Sequence, residues 1–166
     1  MDNRPRIQPS LTVFDKRIEQ LSVLFLVLLT GLSVYVFIKT PDIIPVHFGI
    51  SGKPDSYGSK WALIILPVVG LGSYLLLTML NRYPHIFNYP VTITEQNAEK
   101  QYAVATRMLR CIKLAILVLL VMIVLFTYLT TLGIVDGVGA WIVPVCGVLA
   151  LAPVVTFFIQ SSKEKK

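Results

Sequence analysis

The fold is decided by the run Leu21-Ser22-Val23-Leu24-Phe25-Leu26-Val27-Leu28-Leu29-Thr30-Gly31-Leu32-Ser33-Val34-Tyr35-Val36-Phe37-Ile38, which contains no Asp, Glu, Lys, Arg or His. A helix rising ~1.5 Å per residue needs about 20 apolar residues to cross a hydrocarbon core of ~30 Å. Three further runs meet the same requirement: Trp61–Leu80, Leu114–Thr131 and Ala140–Ile159. Water is absent from the bilayer core, so the backbone polar groups of each run must pair within it, and helix is the expected conformation. The expectation is an all-α polytopic membrane protein, a four-transmembrane-helix bundle.

Composition agrees. Of 166 residues 55% are hydrophobic and 14% charged, a balance unlike that of a soluble domain of this size. The net charge of +6 does not argue for nucleic acid, because the Lys and Arg residues gather at the ends of apolar runs. Twelve of them fall in the N-terminal segment, the second loop and the C-terminal tail (Lys165 and Lys166 among them), and three, Lys39, Lys53 and Lys60, in the first loop. The positive-inside rule therefore places both termini in the cytoplasm and the first loop outside. The first run lacks a cleavage-type sequence after it and reads as an uncleaved span. Cys111 and Cys146 show no metal-type spacing and read as free, inert thiols.

The expected organisation is a cytoplasmic segment at residues 1–20, a first helical hairpin at 21–80 with its outward loop at 39–60, a cytoplasmic segment at 81–113, a second hairpin at 114–160, and a tail at 161–166. Thr92-Ile93-Thr94-Glu95 fits a capping box, and Thr94 could equally cap a helix starting at Glu95. No Pro or Gly follows until beyond Thr131, so one long helix is expected to begin in the cytoplasm and continue into the third span. Pro67, Pro144 and Pro153 fall inside spans and favour kinks. Gly70, Gly72, Gly147, Ala150 and Ala152 permit close helix contact, within the bundle or across a homo-oligomer interface. Arg107, Arg110 and Lys113 are expected to meet anionic headgroups, and Tyr83, Phe87, Tyr89 and Tyr102 to sit at headgroup depth or to form a docking patch.

The first loop carries the candidate site: Pro41-Asp42-Ile43-Ile44-Pro45-Val46-His47-Phe48-Gly49-Ile50-Ser51-Gly52-Lys53-Pro54-Asp55-Ser56-Tyr57-Gly58-Ser59-Lys60. Its prolines favour an extended first half, and Ser51-Gly52 and Lys53-Pro54-Asp55 are turn chemistry. His47 admits several roles: a hydrogen bond to a carboxylate or carbonyl that holds the loop, ligand recognition, one ligand of a metal site with Asp42 and Asp55, or acid–base work. The lone His argues against metal, no cofactor is implied, and the absence of H-E-x-x-H, G-x-S-x-G and an intramembrane carboxylate pair argues against an enzyme.

The order Pro41-Asp42-x-x-Pro45-x-His47-Phe48, Gly52-Lys53-Pro54-Asp55 and Gly58-Ser59-Lys60 resembles the signature of the bacterial membrane family called domain of unknown function 1648. That module forms the N-terminal part of the immunity-protein family that protects bacilli against the sporulation-delaying peptide toxin. The family commonly has Asn two residues after the His, where this chain has Gly49. The resemblance implies a multi-pass protein of the bacterial cytoplasmic membrane in toxin immunity or signalling. The implied binding or loop-structuring residues are Pro41, Asp42, Pro45, His47, Gly52, Asp55 and Lys60. Asn88, Tyr89, Pro90, Glu95, Asn97, Gln101 and Tyr102 lie in a stretch resembling shorter members of the group, and are expected to dock a cytoplasmic regulator. The implied partners are the lipid bilayer, a membrane-active peptide or envelope ligand, and that regulator. A subunit of a small transporter or exporter is the alternative, although no span carries an ionisable residue of the kind coupled transport employs.

Overall fold

The computed structural model describes residues 4–163. Four helices account for most of them: α1 Val13–Lys39, α2 Ala62–Leu80, α3 Ala98–Thr131 and α4 Ile142–Lys163. All four are long and apolar enough to cross a membrane. The chain is a multi-pass membrane protein of mostly helical fold. Side chains such as Val27, Val68, Leu76 and Val148 are largely exposed in the isolated protein. In a bilayer that apolar surface meets lipid chains, so it carries no penalty there.

The apolar run begins at Leu21, but α1 starts at Val13, because Thr12 and Asp15 form a capping box. Thr12 Oγ1 accepts from the Asp15 N–H at 3.2 Å, and the Thr12 N–H donates to Asp15 Oδ2 at 3.0 Å. This satisfies two of the donors that a helix start leaves open. The expected long third helix is present, with 34 residues, or about 50 Å of rise, so it extends beyond a hydrocarbon core. Its start is a correction. Thr94 Oγ1 accepts from the Asn97 N–H and Asn97 Oδ1 accepts from the Thr94 N–H, so the reciprocal pair is Thr94 with Asn97 and the helix begins at Ala98. Thr92 contributes a carbonyl to Asn97 Nδ2 instead of a cap.

Pro67 and Pro153 lie inside α2 and α4. Pro144 is the third residue of α4, in the first turn, where its missing N–H breaks no helical bond and gives no cause for a kink. Gly70 faces Leu29 and Leu117 so closely that an added Cβ would lie 2.6 Å from Leu29 Cδ2, whereas Gly72 and Gly147 face open space. Close packing between α1 and α2 thus uses Gly70. The core is formed by Leu29 and Val36 of α1, Leu63 of α2, and Leu117, Val121 and Val124 of α3. The helix α4 packs chiefly on α3.

Two sets of contacts define the ends of the bundle. The Val138 N–H donates to the Gly52 carbonyl at 2.8 Å, so the first and third loops lie together. At the other end Arg4 Nη1 donates to the Phe87 carbonyl, Tyr102 Oη to the Pro5 carbonyl, and Gln101 Nε2 to the Ser161 carbonyl. The N-terminal segment, the second connection and the C-terminal end of α4 therefore share that end.

The first loop is where the all-helical expectation needs amendment. Ile43–Phe48 (β1) and Pro54–Ser59 (β2) pair as an antiparallel hairpin; of the tail expected at 161–166, residues 164–166 lie outside the described residues. A proline within β1 is compatible with pairing because each strand of a two-stranded sheet is an edge.

Candidate functional site

The hairpin is rooted by one residue. Ile44 is 1% exposed and joins the core cluster with Val36, Leu63 and Val121, while its neighbours Ile43 and Val46 stay exposed. Pro45 is buried beside it, so the middle of β1 lies against the bundle while its flanking residues do not. At the base, Lys60 closes the loop twice: its N–H donates to the Asp42 carbonyl at 2.9 Å, and its Nζ lies 3.0 Å from Asp42 Oδ1. Lys60 Nζ also stands 5.1 Å from the centre of the Phe37 ring, and that ring meets Trp61 edge-on.

At the far end the Gly49 N–H donates to the Lys53 carbonyl and the Gly52 N–H to the Gly49 carbonyl, which closes the turn. Gly52 has φ +77°, and a Cβ there would stand 2.3 Å from the Gly139 backbone. Both facts require glycine: the left-handed conformation and the close approach of the third loop.

Between base and tip lies the His47–Asp55 pair. Ile43, Ile44 and Pro45 pair with Ser59, Gly58 and Tyr57, and continuing that register would set His47 opposite Asp55. The ladder is irregular there: His47 pairs with Ser56, and Phe48 with Pro54. Bulges of this kind re-aim side chains next to sites. Here His47 Nδ1 lies 2.5 Å from Asp55 Oδ1. A carboxylate only accepts, so Nδ1 carries the proton and Nε2 of the neutral ring is an acceptor. Both side chains are more than half exposed. Gly49 matters here, since a Cβ on it would lie 3.0 Å from Asp55 Oδ2. The missing side chain leaves Asp55 room to reach His47.

All the residues anticipated in the first loop are placed in or beside this hairpin. His47 and Asp55 are brought together, Asp42 and Lys60 form a second pair, Pro45 and Gly52 are buried structural positions, and Pro41 is exposed before β1.

The residues anticipated as a docking patch divide by burial. Asn88, Pro90 and Glu95 are exposed, whereas Asn97, Gln101 and Tyr102 are buried and spend polar atoms inside the chain. Ser161 Oγ donates to Gln101 Oε1 while Gln101 Nε2 donates to the Ser161 carbonyl, a two-way bond that ties α4 to α3. Tyr89 donates to the Pro84 carbonyl at 2.9 Å and packs against Tyr102 and Phe157. Burial, and then the neighbouring Tyr102, push its phenol well above the ordinary range. These aromatics hold the connection against the bundle.

A second ionic cluster was not anticipated. Arg107 donates from Nε and Nη2 to the buried Asp15 carboxylate at 2.8 and 3.1 Å. Glu19 receives Lys113 Nζ at 2.7 Å, with Arg110 Nε at 3.2 Å in an ion pair. Lys113 also donates to Thr78 Oγ1 at 2.9 Å and lies 4.6 Å from the centre of the Tyr74 ring. The expectation of facing headgroups is thus corrected for Arg110 and Lys113: Lys113 is fully buried and Arg110 nearly so, whereas Arg107 keeps appreciable exposure. Their acids lie one turn apart on α1 and the bases one turn apart on α3, a spacing legible in the sequence once α1 is extended back to Val13.

Four membrane-length helices bearing an exposed hairpin over one end define a multi-pass membrane protein. Residues 24–71 match the family model described as "Domain of unknown function (DUF1648)", a stretch that covers the second half of α1, the hairpin and the first half of α2. An uncharacterized protein of the archaeon Archaeoglobus fulgidus is 33% identical over 93 residues, 51% of either chain. The chain thus spans about half the length of that curated relative. No solved structure matches.

Proposed function

We propose that the hairpin is a recognition element, in a membrane protein of the toxin-immunity or signalling type, that senses or neutralises a membrane-active peptide or another envelope ligand. The observation that carries the reading is the exposed His47–Asp55 pair, held at 2.5 Å on a hairpin that is fastened at base, core and tip. A ligand meeting such a site orders little on binding, and pre-organisation of this kind favours affinity. Around the pair, Ile50 at the turn and Tyr57 on β2 are strongly exposed. They offer apolar contact beside a hydrogen-bonding Nε2 and a carboxylate, which suits a cationic, amphipathic peptide. The role assigned is recognition, not catalysis.

In this reading the hairpin faces outward and both termini lie in the cytoplasm, the orientation favoured by the Lys and Arg count. The membrane is the bacterial cytoplasmic membrane of the resembled family. A cytoplasmic regulator would meet Asn88, Pro90 and Glu95, the exposed members of the second connection.

The test is crosslinking from native membranes with the protein tagged at its C-terminus, comparing the wild type with the double variant His47→Ala, Asp55→Ala. A secreted peptide or regulator recovered with the wild type and lost with the variant, at equal membrane levels, is the expected result. Equal recovery by both, or recovery of transporter components alone, would overturn the reading.

A further inference from the structure

The helices α1 and α4 both lie on α3 but leave an apolar groove between them. It has a volume of about 840 Å³ and is walled by side chains such as Ile18, Leu21, Leu114, Val118, Leu149 and Ala152. The polar lining is not scattered. Thr12, Arg107, Thr156 and Gln160 gather towards the end that holds the chain termini, while the course towards Val118 and Val148 is apolar. From Arg107 to Val118 the rise along α3 is ~16 Å, so the groove runs from the segment before the third apolar run, which begins at Leu114, into that run.

We propose that this groove binds one anionic phospholipid, its acyl portion lying between α1 and α4 on the surface of α3 and its phosphate at the Arg107 end.

Three observations select that occupant. The first is lining. Along the course towards Val118 and Val148 the wall is formed by aliphatic side chains, a surface that flexible hydrocarbon chains fill. The second is charge. Arg107 commits Nε and Nη2 to Asp15, and its side chain remains 28% exposed. Arg17 lies one turn from both Phe14 and Leu21, which line the groove, and Lys163 follows one turn after Gln160; both are exposed. Among the described acids nearby, Asp15 is balanced by Arg107 and Glu19 by Arg110 and Lys113, which leaves Arg17 and Lys163 against the single charge of Glu99, itself hydrogen-bonded by Ser10. The mouth therefore carries an excess of positive charge beside neutral hydrogen-bonding groups, which complements a lipid phosphate. Basic pockets between transmembrane helices are known binding places for anionic headgroups. The third is place. Leu114, Ala115 and Val118 of α3 and Leu149 and Ala152 of α4 belong to the apolar runs, so the apolar course of the groove lies within the membrane-spanning part of the bundle, where a crevice between helices is filled by lipid chains.

The fixed Arg107 gives the site its headgroup preference. Its guanidinium is oriented by Asp15 and by the Phe14 ring, 5.9 Å from ring centre to Cζ, before any lipid arrives. Less side-chain order is lost when the phosphate docks.

Native mass spectrometry of the full chain tests this, with the protein released from vesicles of equimolar phosphatidylglycerol and phosphatidylcholine of matched chains. The wild type is expected to retain one phosphatidylglycerol at an activation that strips phosphatidylcholine, with at least a tenfold preference. Ala152→Phe, which fills the groove, is expected to lower that retention at least tenfold. Ala150→Phe, on the same helix but outside the lining, is expected to leave it unchanged. Thermal unfolding of both variants checks that they are folded, and the headgroup preference of the wild type requires no variant. Equal retention of the two lipids would overturn the proposal, as would retention indifferent to Ala152→Phe. So would a dimer dispersed by Ala152→Phe without any lipid adduct, because a second copy would then be the occupant.

Discussion

The Gly52 carbonyl accepts the Val138 N–H at 2.8 Å, which fastens the tip of the hairpin in the first loop to the loop between α3 and α4. The two residues are far apart in sequence, and the bond links a hairpin rooted by Ile44 to the helix pair that carries the rest of the chain. Glycines on both sides make the approach possible. A Cβ on Gly137 would fall 2.0 Å from the Gly52 oxygen, just as one on Gly52 would strike Gly139.

Gly52→Ala is therefore expected to release the tip. The substitution adds the cost of a left-handed alanine, roughly 1–2 kcal/mol, to a backbone clash that only movement of a loop can relieve. Hydrogen exchange at the Val138 amide is expected to accelerate at least tenfold. Unchanged exchange there would mean that the two loops are held together by other contacts.

His47→Ala and Asp55→Ala are expected to leave the fold intact. The pair is short but more than half exposed, and exposed pairs contribute at most about 1 kcal/mol. Thermal unfolding in detergent should shift by no more than a few degrees, while ligand capture is lost. A collapse of stability in either variant would show that the pair serves the fold and not recognition.

Gly49→Asn restores the side chain common in the resembled family and is expected to displace Asp55, because the new Cβ would lie 3.0 Å from Asp55 Oδ2. The proton shift of His47 Nδ1–H, followed by NMR, should move towards that of a histidine without a carboxylate partner. An unchanged resonance would mean that the carboxylate tolerates the intrusion.

Glu19→Gln is expected to be the most destabilising of the conservative changes. It removes the carboxylate that neutralises a fully buried Lys113 and a nearly buried Arg110. Stranding a buried charge costs roughly 3–5 kcal/mol, read as a fall in unfolding midpoint. Glu19→Gln with Lys113→Met should recover part of that loss, since the cost lies in the unpaired ammonium.

Ser161→Ala is expected to loosen the end of α4 on α3. It leaves Gln101 Oε1 without its hydroxyl donor in a buried site, at about 1–3 kcal/mol. Proteolysis near the C-terminus should quicken; an unchanged cleavage rate would place the anchoring of α4 elsewhere, for instance at Phe157 against Tyr89.

The membrane character of the chain, its four helices and the continuity of α3 from the connection into the span were all legible from sequence, because each rests on local rules. An apolar run of bilayer length must close its own hydrogen bonds, and a stretch from Ala98 to Thr131 without Pro or Gly has nothing to interrupt it. The composition of the loop also singled out His47 and Asp55, which the fold brings within 2.5 Å of one another. What only the tertiary structure decided depends on which distant residues meet. The loop became a hairpin whose Ile44 and Pro45 are buried against the bundle, with Ile44 packed into the core that three helices form. Arg110 and Lys113 turned inward because Glu19 arrives on α1 from more than ninety residues away in the chain, bringing countercharge into a place that sequence spacing alone would give to headgroups. Gln101 and Tyr102 became internal fasteners once the N-terminal segment and the end of α4 closed over them. Local chemistry specifies elements, whereas the choice of partner for a buried charge or an amide is made by packing, and that is a property of the whole fold.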